Sequence, residues 1–149
     1  MPLSVASATT CDGVPTTWEG NDSDNVHDGG PGSDSFALFG GNGESNGLGS
    51  FDHICGGTGS DLNNLRGGSE QDGVHGGPGA DDVMGDDYND RLYGETGDND
   101  YIYDGFGSND YINGGDRIFD IFWPCDDEAL EAAYEVEDIK TPSASYCVP

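Results

Sequence analysis

The sequence predicts an all-β fold assembled from short, repeated turn–strand units. Three observations predict it: a nine-residue period, an Asp two residues before an apolar residue in unit after unit, and an extreme negative charge. The 149 residues carry 30 Asp and Glu against 4 Lys and Arg, a formal net charge of −26, and hydrophobic residues make up 33%. Low hydrophobicity with high net charge ordinarily means disorder. A disordered tract needs no fixed period, so self-similarity decides between the two readings.

The period is clearest over 67–93, where GGSEQDGVH, GGPGADDVM and GDDYNDRLY follow one another. Each unit has Gly at position one, Asp at position six and an aliphatic at position eight. The acids are Asp72, Asp81 and Asp90, and the aliphatics Val74, Val83 and Leu92. Two ten-residue units follow, GETGDNDYIY and DGFGSNDYIN, with Asp100 before Ile102 and Asp110 before Ile112. Backward, the pattern is less regular. EGNDSDNVH carries Asp24 and Val26, GGPGSDSFA carries Asp34 and Phe36, and GLGSFDHIC carries Asp52 and Ile54. GGTGSDLNNLR has Asp61 and Leu65 with two inserted residues, and GGNGESNGL has Ser45 and Gly47 where Asp and an aliphatic belong. The repeats fill 19–113, between an N-terminal segment, 1–18, and a C-terminal cap, 114–149.

Side chains alternate along a strand, so the position-eight residues point inward and their neighbours outward. On this reading His27, His53 and His75 face outward. Gly supplies positive φ and lets carbonyls approach a ligand. Nine inward apolar residues cannot offset the entropy of ordering so long a block, and repulsion among the acids opposes folding further. A polyanion that must fold needs cations, and carboxylate and carbonyl oxygens select hard ones such as Ca²⁺.

The units resemble the RTX (haemolysin-type) calcium-binding nonapeptide, G-G-x-G-x-D-x-U-x. The resemblance covers nearly two thirds of the chain and implies a calcium-dependent parallel β-roll. In such a roll, turns n and n+2 stack along one edge, and each ion sits between two of them. The implied metal residues are Asp24, Asp34, Asp52, Asp61, Asp72, Asp81, Asp90, Asp100 and Asp110, with backbone from Gly57, Gly59, Gly68, Gly77 and Gly79. Asp52 is expected to pair with Asp72, Asp61 with Asp81, Asp72 with Asp90, Asp81 with Asp100, Asp90 with Asp110, and Asp34 with Asp52. Asp24 faces Ser45 across an incomplete site. About five to seven Ca²⁺ ions follow.

The ends must close the open edges of the roll. Ile118, Phe119, Ile121, Phe122 and Trp123 predict a capping strand pair. DDEALEAAYEVEDIK, 126–140, reads as a short amphipathic helix, with Asp126 as N-cap and Leu130, Ala133 and Tyr134 on one face. The four cysteines suggest two disulfides in an oxidising compartment. Of the three pairings, Cys11–Cys55 with Cys125–Cys147 is preferred, because each staples a terminus to the nearest ordered element. Zinc is the alternative, without a CxxC to support it.

Several function classes are excluded. Nucleic-acid and anionic-membrane binding need clustered Lys and Arg, and no run is long and apolar enough to insert in a membrane. Gly43-Glu44-Ser45-Asn46-Gly47 matches G-x-S-x-G but lies inside the repeat register, not at a strand–turn–helix elbow. The histidines lack HExxH spacing, and no EF-hand loop is present. The outward positions vary too much for an ice-binding ladder. No catalytic residue is expected.

The expected function is that of a non-enzymatic, calcium-folded, extracellular structural or adhesive protein. CDGVPTT and DHICGGTGSD resemble small secreted actinobacterial proteins with haemolysin-type repeats. MPLSVASATT lacks the basic and apolar regions of a signal peptide. A bacteriophage virion component, such as a capsid decoration, tail or fibre protein, is therefore the alternative, and a carrier module for a separate enzyme a third reading. The partners expected are a cell-surface or virion assembly component, or further copies of the chain.

Overall fold

In the computed structural model, the described residues are 9–61, 64–97, 99–107, 109–115, 121–123, 133–134 and 138–139. They contain sixteen short strands: β1 (Thr10–Cys11), β2 (Val14–Pro15), β3 (Trp18–Asn21), β4 (Val26–Asp28), β5 (Ser35–Phe39), β6 (Glu44–Gly49), β7 (His53–Cys55) and β8 (Leu65–Ser69). Then come β9 (Gly73–His75), β10 (Asp82–Asp86), β11 (Arg91–Tyr93), β12 (Tyr101–Tyr103), β13 (Tyr111–Asn113), β14 (Ile121–Trp123), β15 (Ala133–Tyr134) and β16 (Asp138–Ile139). From β3 onward the chain alternates between two seven-stranded sheets. The first runs β3-β5-β7-β9-β11-β13-β15 and the second β4-β6-β8-β10-β12-β14-β16. Every pairing within them is parallel. The fold is all-β: a parallel β-solenoid whose turns stack along two edges.

The three-residue strands follow from the Asp–x–apolar spacing. In the first sheet Trp18, Phe36, Ile54, Val74, Leu92 and Ile112 are in register. In the second, Leu65, Val83 and Ile102 are in register. Phe36, Ile54, Leu65, Val74, Val83, Leu92, Ile102 and Ile112 are fully buried and form one core, with Leu38 beside them. At roughly 1.5–3 kcal/mol per buried side chain this narrow column is the main apolar contribution to folding.

Three expectations are corrected. Val26 is not inward: it is 73% exposed. The inward residue of that strand is His27, in register with Ser45 and thence Leu65. Its ring stacks on Trp18 at 4.1 Å and meets the edge of Phe36 at 4.6 Å, closing the N-terminal end of the core. Second, Ser45 occupies the apolar position, not the Asp position. The unit therefore runs 38–46, with Leu38 first and Gly43 sixth, and Asp24 does not face Ser45. Third, the helix expected over 126–140 is interrupted by strands. Ala133–Tyr134 pairs with β13 and Asp138–Ile139 with β14, and no helix occurs among the described residues. Parallel pairing onto a preformed sheet edge outweighs local helix propensity there.

The β1–β2 hairpin is tied to β7 by a Cys11–Cys55 disulfide with a Cα–Cα distance of 5.7 Å. Cys11 is fully buried. Cys125 and Cys147 lie outside the described residues, as do Ile118, Phe119, Asp126 and Leu130.

Candidate functional site: the stacked acidic turns

The turns separate the acids by edge. Asp34, Asp52, Asp72, Asp90 and Asp110 lie in turns entering the first sheet, here the Asp72 edge. Asp61, Asp81 and Asp100 lie in turns entering the second, the Asp61 edge. Along each edge, one carboxylate oxygen accepts the backbone N–H of the equivalent residue one stacked turn earlier. On the Asp72 edge Asp34 N–H donates to Asp52 Oδ1 (2.7 Å), Asp52 to Asp72 (2.7 Å), Asp72 to Asp90 (2.8 Å) and Asp90 to Asp110 (2.7 Å). On the Asp61 edge Gly43 N–H donates to Asp61 Oδ1, Asp61 to Asp81 (2.8 Å) and Asp81 to Asp100 (2.9 Å). The six Asp pairs expected from the sequence are therefore neighbours in the stack.

The second oxygen of each acid differs. Oδ2 of Asp52, Asp61, Asp72, Asp81 and Asp90 is buried without a hydrogen-bond partner. It and a carbonyl of the next stacked turn both lie beside the first residue of its own turn. A Cβ on Gly67 would lie 2.7 Å from Asp72 Oδ2 and 2.8 Å from the Gly85 carbonyl oxygen. One on Gly76 would lie 2.7 Å from Asp81 Oδ2 and 3.1 Å from the Gly94 oxygen. The same convergence recurs at Gly47, Gly56 and Gly85. Two acceptors facing one point repel unless a proton or a cation lies between them.

Burial raises the pKa values of these acids accordingly. It pushes Asp52 up to about 6, Asp72 and Asp81 to about 7 and Asp90 to about 8, with neighbouring carboxylates adding to the rise. Asp61 is raised by burial too. Hydrogen bonds from the backbone oppose the shift without cancelling it.

The donor set is carboxylate plus carbonyl oxygen, which suits a hard cation. Among the described residues no three His, Cys, Asp or Glu side chains gather as a metal cluster. A cation in these turns would draw on one or two carboxylates and otherwise on backbone. The carbonyls that converge with the orphaned oxygens belong to Gly67, Gly76, Gly85, Gly94 and Asp104, none of which the sequence singles out as a ligand. For the four glycines the signal was their constancy as the first residue of the unit. Gly57, Gly59, Gly68, Gly77 and Gly79 lie where stacked turns approach closely. At Gly79 a Cβ would overlap the Gly59 carbonyl, and Gly77, at φ 105°, would overlap that of Gly57.

Asp34 and Asp24 stand apart from this pattern. Asp34 Oδ2 accepts the Gly30 N–H at 2.9 Å, and Oδ1 the Thr17 hydroxyl at 3.2 Å. Asp24 is exposed and accepts the Asn42 N–H at 2.8 Å, while Asn25 takes the buried sixth position. Asp104, fully buried at the start of the turn that ends at Asp110, was not foreseen, because its unit has Asp where the others have Gly.

The remaining candidates are accounted for structurally. Ser45 is 1% exposed between His27 and Leu65, so its hydroxyl offers no nucleophile to solvent. His75 faces outward, stacked on Tyr93 at 4.4 Å with Nδ1 2.8 Å from Glu95 Oε1. His53 lies 3.8 Å from Asp12. Arg66 makes a bidentate pair with Asp86 at 2.8 and 2.5 Å, one cation set against a surplus of acids. No helix is long and apolar enough to cross a membrane among the described residues.

These features define a parallel β-solenoid with oxygen-lined turns on both edges. No family model, no curated protein and no solved structure matches the chain.

Proposed function

We propose that the protein is a non-enzymatic, extracellular structural or adhesive module that folds on binding calcium between its stacked acidic turns. The observation that carries this reading is the row of buried, partnerless Oδ2 atoms on Asp52, Asp61, Asp72, Asp81 and Asp90, each facing a carbonyl. Calcium takes six to eight oxygens from carboxylates and carbonyls, and its charge offsets both the burial and the repulsion of these acids. Binding free energy then becomes folding free energy. The haemolysin-type character of the nonapeptide supports the same ion. The Cys11–Cys55 disulfide supports an oxidising location, where calcium is abundant. The buried Ser45 supports a non-enzymatic role.

Circular dichroism during calcium titration tests the proposal. In excess chelator at pH 8 most of the β signal is expected to be lost, to return with calcium, and to return far less with magnesium, which demands tight octahedral geometry. A spectrum unchanged by chelator would refute it.

A further inference from the structure

The Asp61 edge does not begin with acids. Its first turn, 20–25, ends in Asn25, and its second, 38–43, has Leu38 first and Gly43 sixth. In both turns protein groups satisfy or fill what the later turns leave as an unpartnered carboxylate oxygen.

Asn25 is 7% exposed and takes the position that Asp61 and Asp81 hold further along. A Cβ on Gly20 would lie 2.7 Å from the Leu38 carbonyl oxygen, 2.8 Å from Asn25 Cγ and 2.9 Å from Asn25 Oδ1, the arrangement seen at Gly67 and Gly76. That oxygen has a partner here, and beside it Asn25 presents an NH₂ group. It donates to the carbonyls of Asn21 (2.9 Å), Leu38 (3.1 Å) and Ser23. Two hydrogens thus serve three carbonyls: two from the turn's own backbone and one from the next stacked turn. Asn25 Oδ1 accepts the Asn21 side-chain amide at 3.3 Å.

The next turn solves the problem by shape. Leu38 is 1% exposed and belongs to the core, and a Cβ on Gly43 would overlap its side chain. The large residue has moved from position six to position one, so an apolar group fills the space that a carboxylate takes elsewhere.

We infer that these two turns bind no cation and that the Asn25 amide stands in for one. The inference rests on the calcium reading of the later turns. It assigns Asn25 as the residue that makes the N-terminal end of this edge independent of metal. The Trp18–His27–Phe36 ring cluster and the Cys11–Cys55 disulfide close the same end. The calcium-dependent turns therefore stack onto a template that metal does not build.

Residue-resolved hydrogen exchange on the full chain tests this, with calcium as the only added ligand. The amides of residues 21–28 are compared with those of 72–74 in the same molecule. In Asn25→Asp the turn recovers an oxygen-only lining. At limiting calcium, residues 21–28 are expected to exchange at least about tenfold faster than in the parent, relative to 72–74. At saturating calcium they return to the parent ratio. In Asn25→Ala, which supplies neither donor nor ligand, exchange stays fast at both concentrations. Asn25→Asp matching the parent at limiting calcium, or failing to recover at saturation, overturns the inference. Failure of the calcium reading looks different: the unmutated chain would then exchange equally slowly in chelator and in calcium.

Discussion

Oδ1 of Asp90 accepts the backbone N–H of Asp72 at 2.8 Å, while Oδ2 of Asp90 is buried with no hydrogen-bond partner. The first contact fixes the spacing of two stacked turns. The second leaves a half-satisfied carboxylate inside the protein. An unpartnered buried charge is strongly unfavourable, so this oxygen must be protonated or bound to a cation.

Replacing Asp90 with Ala removes both roles. The calcium concentration at the folding midpoint is expected to rise on the order of tenfold, with at least one ion fewer bound at saturation. Calorimetric titration of Asp90→Ala beside the parent measures both. An unchanged stoichiometry would remove Asp90 from the ligand set.

The metal-free chain should be more stable in acid. Asp52, Asp72, Asp81 and Asp90 are raised from 3.8 to about 6, 7, 7 and 8 in the folded state. A group whose folded value is raised contributes stability that is complete below its unfolded value and is lost as pH rises through the folded one. In chelator, thermal stability is therefore expected to be highest near pH 4 and to fall most steeply between pH 6 and 8. Adding calcium at pH 7 should release protons, which a pH-stat records. Stability in chelator that rises toward pH 8 would contradict the burial of these acids.

Close stacking makes Gly79 intolerant of a side chain. A Cβ there overlaps the Gly59 carbonyl, whereas one on Gly32 meets nothing within 4 Å. Gly79→Ala is expected to destabilise the calcium-loaded protein by about 3 kcal/mol or more, and Gly32→Ala by less than about 1 kcal/mol. Thermal melts of the pair distinguish steric exclusion from a general preference for glycine.

Cys11 and Cys55 are 44 residues apart. Closing a loop of that length stabilises by about 4 kcal/mol in the chain-entropy account. A Cys11→Ala/Cys55→Ala double variant should melt well below the parent in saturating calcium and still bind the same number of ions. A drop in ion count would mean that the hairpin itself shapes a site.

Much of this was legible in the sequence. Asp two residues before an aliphatic is a local signal, because one turn and one strand fit within nine residues. From Asp52 to Ile112 it located the sixth-position acids, the inward residues and the stacking partners, but not the buried Asp104. The Cys11–Cys55 pairing was legible as well, as the staple from the N-terminal segment to the nearest ordered element.

The failures cluster where side chains depart from that signal. Between 20 and 46, abundant glycines allow two registers, and only contact across turns chooses between them. Leu38 and Gly43 exchange the large and small positions of the unit, which hides the unit from a search for Asp. Asn25 looks like an ordinary turn residue beside Asp24, yet the buried position is its own. At 133–134 and 138–139, helical spacing in the sequence yields to pairing with β13 and β14.

The sequence by itself determined the all-β class, the period, and the presence of too many acids for too small a core. Those are properties of composition and of local alternation along a strand. Only the tertiary structure decided which oxygen of each Asp is satisfied, which carbonyl faces the other, and which turns carry an amide or a leucine instead. Those facts depend on groups about twenty residues apart along the chain, brought together when one turn settles on another.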